Sequence, residues 1–303
     1  MPVSSQRWSW RSKTMAEFGK VVVFGTGLIG GSFSLAHKEA DAVEEVVGFG
    51  RTPATLRKAQ ELGVIDRAGI NPTHEIEDAD IVLVATPVAQ MADIFERIAP
   101  YLGPNTIVTD GGSTKGDVVA AARVALGDRI SHFVPAHPIA GAENSGPAAA
   151  RWDLYQGKKV VVTPLRENSD EALDHIKRAW SLCGADIYEL TPEMHDRVFA
   201  AVSHLPHLLS FALVHDLAVR DDADLFFTFA ASGFRDFTRI AASHPEMWRD
   251  ICLANREALL GELDCYRAQL DELRTALARN DGARLEEVFG IARRARRDWA
   301  GEG

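Results

Sequence analysis

Hydrophobic and polar positions alternate between two kinds of segment over residues 20–190. Short runs rich in β-branched residues are apolar at consecutive positions, which is typical of strands buried on both faces. Between them, the segments 52–62, 88–102 and 113–126 repeat apolar residues at helical spacing. This alternation predicts an α/β fold, a doubly wound domain with a parallel sheet. The predicted strands are KVVVFG (20–25), EEVVGFG (44–50), ADIVLVATP (79–87), NTIVTDGG (105–112), HFVPAHP (132–138) and KKVVVTP (158–164).

The strand signal stops after CGADIYELTP (183–192). Residues 193–300 form an almost continuous amphipathic helical pattern, and Pro192 suits the first turn of a helix. The first 18 residues are polar and basic and lack the apolar segment of a secretory signal. We therefore predict a loose leader over residues 1–18, an α/β domain over 19–190 and a helical domain over 191–303.

Composition narrows the classes of partner. The 303-residue chain carries a net charge of −10, which argues against a nucleic-acid partner. Its three cysteines, Cys183, Cys252 and Cys265, are scattered and form no CxxC pair, which suits a reducing compartment and argues against a cysteine-based metal site. No uninterrupted apolar run approaches the ~20 residues of a membrane-spanning helix. We therefore expect a cytoplasmic protein without a metal, nucleic-acid or membrane partner.

A glycine-rich turn follows the first predicted strand. The motif GTGLIG (25–30) matches GxGxxG and opens a helix, the context in which this motif binds a dinucleotide. Its glycines permit a tight turn and a close approach to the pyrophosphate, and the helix N-terminus favours the anion. The motif makes 19–190 a dinucleotide-binding domain. The cofactor-binding residues predicted here and at the end of ADIVLVATP are Gly25, Gly27, Leu28, Ile29, Gly30, Thr86 and Pro87.

The second predicted strand bears on the choice of cofactor. It ends in VVGFGRTP, so Gly50 stands where an acid would bind the ribose 2′-hydroxyl of NAD. Arg51 could pair with a 2′-phosphate, and Thr52 could donate a hydrogen bond to it. These residues favour NADP over NAD. In the alternative, Arg51 stacks on the adenine and the enzyme accepts both cofactors.

Polar motifs also end the later strands, where ligands bind in such sheets. GSTKG (112–116) supplies Ser113, and AHPIAG (136–141) supplies His137. A histidine and a serine at neighbouring strand ends are a reasonable acid–base pair. Taken alone, His137 could equally be a structural histidine.

Several motifs together resemble one family. GTGLIGGS, ATPV, TDGGSTKG, HPIAGAENSG, HDRVFAAVSHLPHLLSFAL and DFTRIAASHPEMWRDI resemble, in order, the signature blocks of prephenate/arogenate dehydrogenases over roughly residues 20–260. The resemblance implies a Rossmann-like domain followed by an all-α C-terminal dimerisation domain, and hence a homodimer. It also implies oxidative decarboxylation of a small cyclohexadienol, prephenate and/or arogenate, with hydride transfer to NAD(P), in tyrosine biosynthesis.

The resemblance also assigns roles to residues. His137 would accept the proton of the ring hydroxyl, and Ser113 would orient it. Taken alone, Arg239 could be a surface or Asp236-paired arginine, and His195 and Trp248 could be core residues. The substrate-binding residues that the resemblance implies are His207 near the side chain, Arg239 as carboxylate anchor, His195 in support and Trp248 at the edge of the site.

The sequence leaves three alternative functions. A reductase acting on a β-hydroxyacid or an imine would usually place a lysine on an interdomain helix, and residues 191–300 contain no lysine. A dehydrogenase of 4-amino-4-deoxyprephenate in secondary metabolism would keep the same motifs. A non-catalytic nucleotide-sensing protein should have lost a catalytic residue, and none of those assigned above is missing.

Overall fold

The computed structural model describes residues 16–141 and 144–301. Most of the predicted leader, residues 1–15, lies outside the described residues, as do two residues of the HPIAGAENSG block. The first strand begins at Phe18, inside the predicted leader, and Glu17 just before it pairs with Arg178.

Strands overlap each of the six predicted runs, and two further short strands, Arg67–Ala68 and Asp186–Glu189, lie outside these runs. In the described part of the chain they are β1 Phe18–Phe24, β2 Val43–Phe49, β3 Arg67–Ala68, β4 Ile81–Val84, β5 Ile107–Asp110, β6 Phe133–Val134, β7 Ala136–Pro138, β8 Lys159–Val162 and β9 Asp186–Glu189.

Helices separate the strands and fill the C-terminal part of the chain. Among the described residues they are α1 Leu28–Glu39, α2 Pro53–Glu61, α3 Pro72–Ile76, α4 Met91–Ile98, α5 Gly116–Leu126, α6 Asp170–Leu182, α7 Pro192–Phe199, α8 Leu205–Ala218, α9 Ala223–Phe229, α10 Ser232–Thr238, α11 Pro245–Ala254, α12 Arg256–Ala278 and α13 Gly282–Ala300.

The main sheet has six parallel strands in the order β3-β2-β1-β4-β5-β6. This is the doubly wound order in which a dinucleotide binds at the β1/β4 switch point. In β1, Val21 and Val23 join the core on one face of the sheet, while Val22 and Phe24 join the core on the other. The consecutive apolar residues of this strand therefore reflect burial on both faces, as predicted.

The run HFVPAHP forms two strands where one was predicted. Phe133 and Val134 extend the main sheet as β6, whereas β7 pairs antiparallel with β8, and β9 pairs parallel with β8 in a second sheet. Pro135 lies between β6 and β7 and has no N–H to continue the first ladder. The prediction of one parallel sheet was therefore wrong for the last strands, and His137 lies on β7 in the second sheet.

The described chain divides into two compact units. One unit runs to Asp196 and includes Pro245–Ala254, and the other comprises Arg197–His244 and the chain from Asn255 onward. The division differs from the single boundary predicted near residue 190, because α11 returns to the first unit, where Trp248 and Ile251 are buried.

The helical unit exposes many apolar side chains. One helical stretch of the described chain, Pro192–Ala218, is long and apolar enough to cross a membrane by length and composition alone. Polar and charged residues interrupt its apolar positions, so a search for uninterrupted apolar runs did not single out this stretch. Only 28% of its most apolar window is buried within this chain. Helices in the core of soluble proteins can have the same length and composition. An exposed apolar helix of this kind is therefore also suited to contact with another protein.

Candidate active site

The glycine-rich turn has the geometry of a phosphate-binding loop. Gly25 has φ +99°, and a Cβ there would lie 2.4 Å from the Ala85 carbonyl oxygen. A Cβ on Gly30 would lie 2.2 Å from the Gly25 carbonyl oxygen. Only glycine fits either position. Gly27 is different, since the nearest atom to a Cβ there is the Gly146 nitrogen at 4.0 Å. The space above Gly27 is therefore open to a ligand.

The start of α1 suits an anionic cofactor. Gly27 is its N-cap without a side-chain cap, and the first turn, which contains Leu28 and Ile29, has no acidic residue. The free N–H groups and the helix dipole therefore favour a phosphate. Thr86, next to Pro87 after β4, has a buried hydroxyl oxygen with no hydrogen-bond partner among the described residues. An unpartnered buried hydroxyl beside an open glycine turn fits a bound dinucleotide.

The residues at the end of β2 bear on the choice between NAD and NADP. Gly50 and Arg51 are exposed, and a Cβ on Gly50 would lie 3.2 Å from Leu56 Cδ2, so a larger residue needs only a small shift. Thr52 is the N-cap of α2, where its hydroxyl oxygen accepts a hydrogen bond from Thr55 N at 3.2 Å. Thr52 therefore already has a structural role, which leaves Arg51 as the main candidate for contact with a 2′-phosphate.

His137 is the end of a buried hydrogen-bond relay. Its Nδ1 lies 2.8 Å from His195 Nε2, and His195 Nδ1 lies 2.8 Å from Asp196 Oδ1. His195 is fully buried, whereas His137 keeps 9% of its surface exposed. The structure thus joins His137 and His195, which the sequence named separately, and adds Asp196.

The carboxylate of Asp196 determines which nitrogen of each histidine in this relay donates a proton and which accepts one. It accepts hydrogen bonds from Lys115 N at 2.8 Å and Gly116 N at 2.7 Å. Burial raises the pKa of Asp196, but the hydrogen bonds from His195 and these amides outweigh it and hold the pKa below its ordinary value. An ionised Asp196 can only accept, so His195 Nδ1–H must donate to it.

The direction passes from His195 to His137. Burial lowers the pKa of His195 below its ordinary value, against the hydrogen bond to Asp196, so its ring is neutral at pH 7. Its Nε2 must then accept the proton that His137 Nδ1 donates. The neutral His137 ring is left with an unprotonated Nε2, which is the atom a general base needs.

Gly111 is where the three predicted motifs meet. A Cβ on Gly111 would lie 2.9 Å from Ile29 Cγ2 of the phosphate helix and 3.8 Å from Pro138 of β7. Ser113 follows two residues later, in the loop between β5 and α5. The structure thus brings the phosphate turn, the Ser113 loop and the His137 strand to one end of β5.

Two of the three remaining substrate-binding candidates, His207 and Arg239, lie in the helical unit. Residues Ala200–His204 form a π-helical turn, and His207 follows it with Nδ1 2.9 Å from the Ser203 carbonyl oxygen. Burial lowers the pKa of His207, and the nearby charge of Arg239 lowers it further. His207 and Arg239 are therefore neighbours within this unit.

Asp110, Lys115 and Asp196 are residues of the site that the sequence analysis missed. They lie inside the quoted motifs TDGGSTKG and HDRVFAAVSHLPH. An acid that ends an apolar strand, and an acid directly after a candidate histidine, were the available signals. Trp248 is buried in α11, grouped with the first unit.

The fold and the site define a Rossmann-fold, nicotinamide-dependent dehydrogenase with a histidine relay. Family models agree with this class. The nucleotide-binding domain of prephenate dehydrogenase matches residues 33–189, and the dimerization domain of prephenate dehydrogenase matches residues 191–291. The chain belongs to the prephenate dehydrogenase family.

Individual relatives cover most of the chain. A prephenate dehydrogenase of Bacillus subtilis is 35% identical over 90% of this chain and 74% of its own length. A cyclohexadienyl dehydrogenase of Zymomonas mobilis is 34% identical over 93% of this chain and 96% of its own length. The crystal structure of the Aquifex aeolicus prephenate dehydrogenase with hydroxyphenyl propionate and NAD+ has a TM-score of 0.86 and 35% identity, and the match covers 92% of this chain and 98% of that one.

Reversing the proton order of the relay should slow turnover. In Asp196→Asn, the amide can donate to His195 Nδ1, which moves the His195 proton to Nε2 and the His137 proton to Nε2. We expect kcat of the dehydrogenase reaction to fall by about 10²-fold or more, with a small change in KM, because the base is in the wrong tautomer.

The matched control is Asp117→Asn, which removes a carboxylate from the first turn of α5, the helix whose first amides donate to Asp196. Steady-state kinetics and thermal unfolding of both variants check the prediction. An Asp196→Asn enzyme with kcat within threefold of the native value would show that the relay does not set the tautomer.

Proposed function

We propose that this protein catalyses the oxidative decarboxylation of prephenate and/or arogenate, with hydride transfer to a nicotinamide cofactor, in tyrosine biosynthesis. The observation that carries the proposal is the relay of Asp196 and His195 to His137, next to a glycine turn that fits a dinucleotide. The family and the names of the relatives support the same reaction.

The cofactor, when bound, supplies an acceptor for the hydride that leaves the hydroxyl-bearing ring carbon. Gly27 and the N–H groups at the start of α1 would hold its phosphates. Leu28, Ile29, Thr86 and Pro87, which follow β1 and β4, would line its binding site. These groups would bind and orient the dinucleotide and take no part in the proton transfer.

His137 Nε2 takes the proton of the ring hydroxyl as the C–H bond on the same carbon breaks. Ser113 donates or accepts a hydrogen bond at that hydroxyl and orients it toward His137. The carbon becomes a carbonyl, the ring carboxylate leaves as CO2, and its bonding electrons make the ring aromatic. The proton on His137 returns to the phenolic oxygen. His195 and Asp196 stabilise the protonated base, since the relay then ends on a carboxylate.

The remaining groups hold the substrate. Arg239 binds a substrate carboxylate, because its planar guanidinium can make two parallel charge-assisted hydrogen bonds. His207 lies near the substrate side chain. Its Nδ1 lies 2.9 Å from the Ser203 carbonyl oxygen, so Nε2 is the ring atom that we assign to the substrate side. Trp248 bounds the site. These assignments follow the family resemblance.

Purified protein should reduce NAD+ or NADP+ when given prephenate or arogenate and should release one CO2 per turnover. His137→Asn should lower kcat by ~10²–10⁴ with little change in substrate KM, the usual worth of general-base catalysis. Arg239→Gln should instead raise KM, since it removes uniform binding. Absorbance of the reduced nicotinamide checks both variants.

4-Amino-4-deoxyprephenate is the third substrate in that assay. Turnover of this compound alone would contradict the proposed substrate, and turnover of none of the three would contradict the proposed reaction. A His137→Asn enzyme with native kcat would show that another group is the base.

We further propose that NADP is preferred over NAD. Gly50 offers no carboxylate to the ribose 2′-hydroxyl of NAD and no repulsion to a 2′-phosphate. Arg51 is exposed next to it and can reach a phosphate. One charge-assisted contact of this kind contributes about 1.5–3 kcal/mol. The bound NAD+ in the Aquifex aeolicus relative belongs to that protein and leaves the preference of this chain open.

The ratio of kcat/KM for the two cofactors tests the preference. Gly50→Asp should move it toward NAD, because a carboxylate accepts from the 2′-hydroxyl and repels a phosphate. Arg51→Ala should lower kcat/KM for NADP by roughly tenfold or more and leave NAD nearly unchanged. A native enzyme that prefers NAD tenfold, or an Arg51→Ala loss shared by both cofactors, would refute this assignment.

The helical unit is proposed to form a two-fold homodimer. Large apolar side chains on it are exposed in the single chain, among them Phe229 at 78% and Trp299 at 81%. A matching dimerization-domain model supports this use of the surface.

We also propose a cytoplasmic location, which suits the free cysteines. Cell fractionation tests this proposal.

Sedimentation equilibrium at micromolar concentration should give twice the chain mass. Phe229→Asp should shift the species toward monomer, because an ionised carboxylate is costly to bury in an apolar interface. A fully active native monomer at that concentration would contradict the proposal.

A further inference from the structure

Asp110 and Lys115 form an ion pair with no exposed surface. Both side chains are fully buried, and Lys115 Nζ lies 2.5 Å from Asp110 Oδ2. Burial raises the pKa of the Asp110 carboxyl, and the Lys115 ammonium opposes that rise. The mechanism above uses neither side chain.

The hydrogen bonds of Asp110 connect the two catalytic segments. Its Oδ2 accepts from Gly112 N at 2.8 Å, one residue before Ser113. Its Oδ1 accepts from Ala136 N at 3.1 Å, one residue before His137. The two oxygens of one carboxylate therefore bind the backbone next to Ser113 and the backbone next to His137.

Lys115 connects the same carboxylate to the relay. Its ammonium pairs with Asp110, while its main-chain N–H donates to Asp196. Among the described residues, the charged and titratable groups that act on His195 include Asp196, Lys115, Asp110 and His137. Among them, the charge of Lys115 lowers the pKa of His195, after the larger effect of burial.

Stability alone does not account for a buried pair of this kind. Removing two charges from water costs about as much as their attraction returns, and apolar residues of the same size are often equally stable in such places. What an apolar pair cannot do is accept two backbone N–H groups at fixed positions.

We propose that Asp110, with Lys115 as its buried counter-ion, is a positioning residue that fixes Ser113 and His137 relative to each other for catalysis. The inference rests on the reaction proposed above. A displacement of about 1 Å at a reacting group can cost 10²-fold in rate, so the two hydrogen bonds matter more for turnover than for folding.

Asp110→Asn and Asp110→Asn/Lys115→Met test the proposal together. Asparagine keeps the shape of aspartate but has one acceptor oxygen, so either Gly112 N or Ala136 N loses its partner. We expect kcat of Asp110→Asn to fall about 10–100-fold, with the KM values of substrate and cofactor within about threefold of native. The double variant should regain thermal stability, because no unpaired charge is buried, while kcat remains at least tenfold low.

Lys115→Met tests whether the charge of Lys115 affects protonation of the histidine relay. Loss of the ammonium should raise the apparent pKa of the acid limb of kcat/KM, since the charge that lowers the His195 pKa is gone. The matched control is Asp66→Asn, because Asp66 also accepts a backbone N–H, from Val46, and pairs with Lys38. Asp66→Asn should lower the melting temperature and leave kcat and the pH profile unchanged.

The proposal is overturned if kcat of the double variant recovers together with its melting temperature, or if Asp110→Asn keeps kcat within threefold of native. If Asp110→Asn does not fold, the double variant and the Lys115→Met pH profile decide, and an unshifted acid limb counts against the proposal. Native protein measured alongside separates the two failures, since an inactive native protein contradicts the proposed reaction itself.

Discussion

The chemistry of this site depends on one buried carboxylate that is kept ionised. Asp196 lies between two amides at the start of α5 and the ring of His195, and all of them donate to it. Because it accepts only, each proton in the relay has one possible place, and neutral His137 carries its proton on Nδ1 and has an unprotonated Nε2. The same carboxylate caps the helix that follows the Ser113 loop. The protonation state of His137, the proposed base, and the position of the Ser113 loop are therefore set by the same group.

Burial gives these polar groups their effect. His195 and the Asp110–Lys115 pair are fully buried, so each charge or proton there acts in a medium of low dielectric. At the phosphate turn, the backbone itself shapes the site. Gly25 and Gly30 lie so close to neighbouring backbone atoms that any side chain there would clash. The dinucleotide-binding unit thus joins a cofactor cradle made of main chain to a proton relay made of side chains.

The parts of the fold that depend on neighbouring residues could be predicted from the sequence. The phosphate turn and the strands of the main sheet follow from local patterns, and short motifs indicated His137 and Ser113 as candidates. The break in the strand was missed although Pro135 is a local signal for it. The hydrogen bond from Ala136 N to Asp110, 26 positions away, could not be predicted. The role of Asp196 was missed because its amide partners lie 80 and 81 positions earlier. Periodicity carries no information on such contacts.

The tautomer of His137 is the most direct test of this account. Nitrogen-15 NMR of the enzyme labelled in its histidine rings, with the His137 signals assigned by their absence in His137→Asn, reports which ring nitrogen carries the proton. The relay predicts that neutral His137 carries its proton on Nδ1 and has an unprotonated Nε2 in the native enzyme, and that this order reverses in Asp196→Asn. A native His137 with its proton on Nε2 would contradict the account, because no acceptor would then face the substrate hydroxyl.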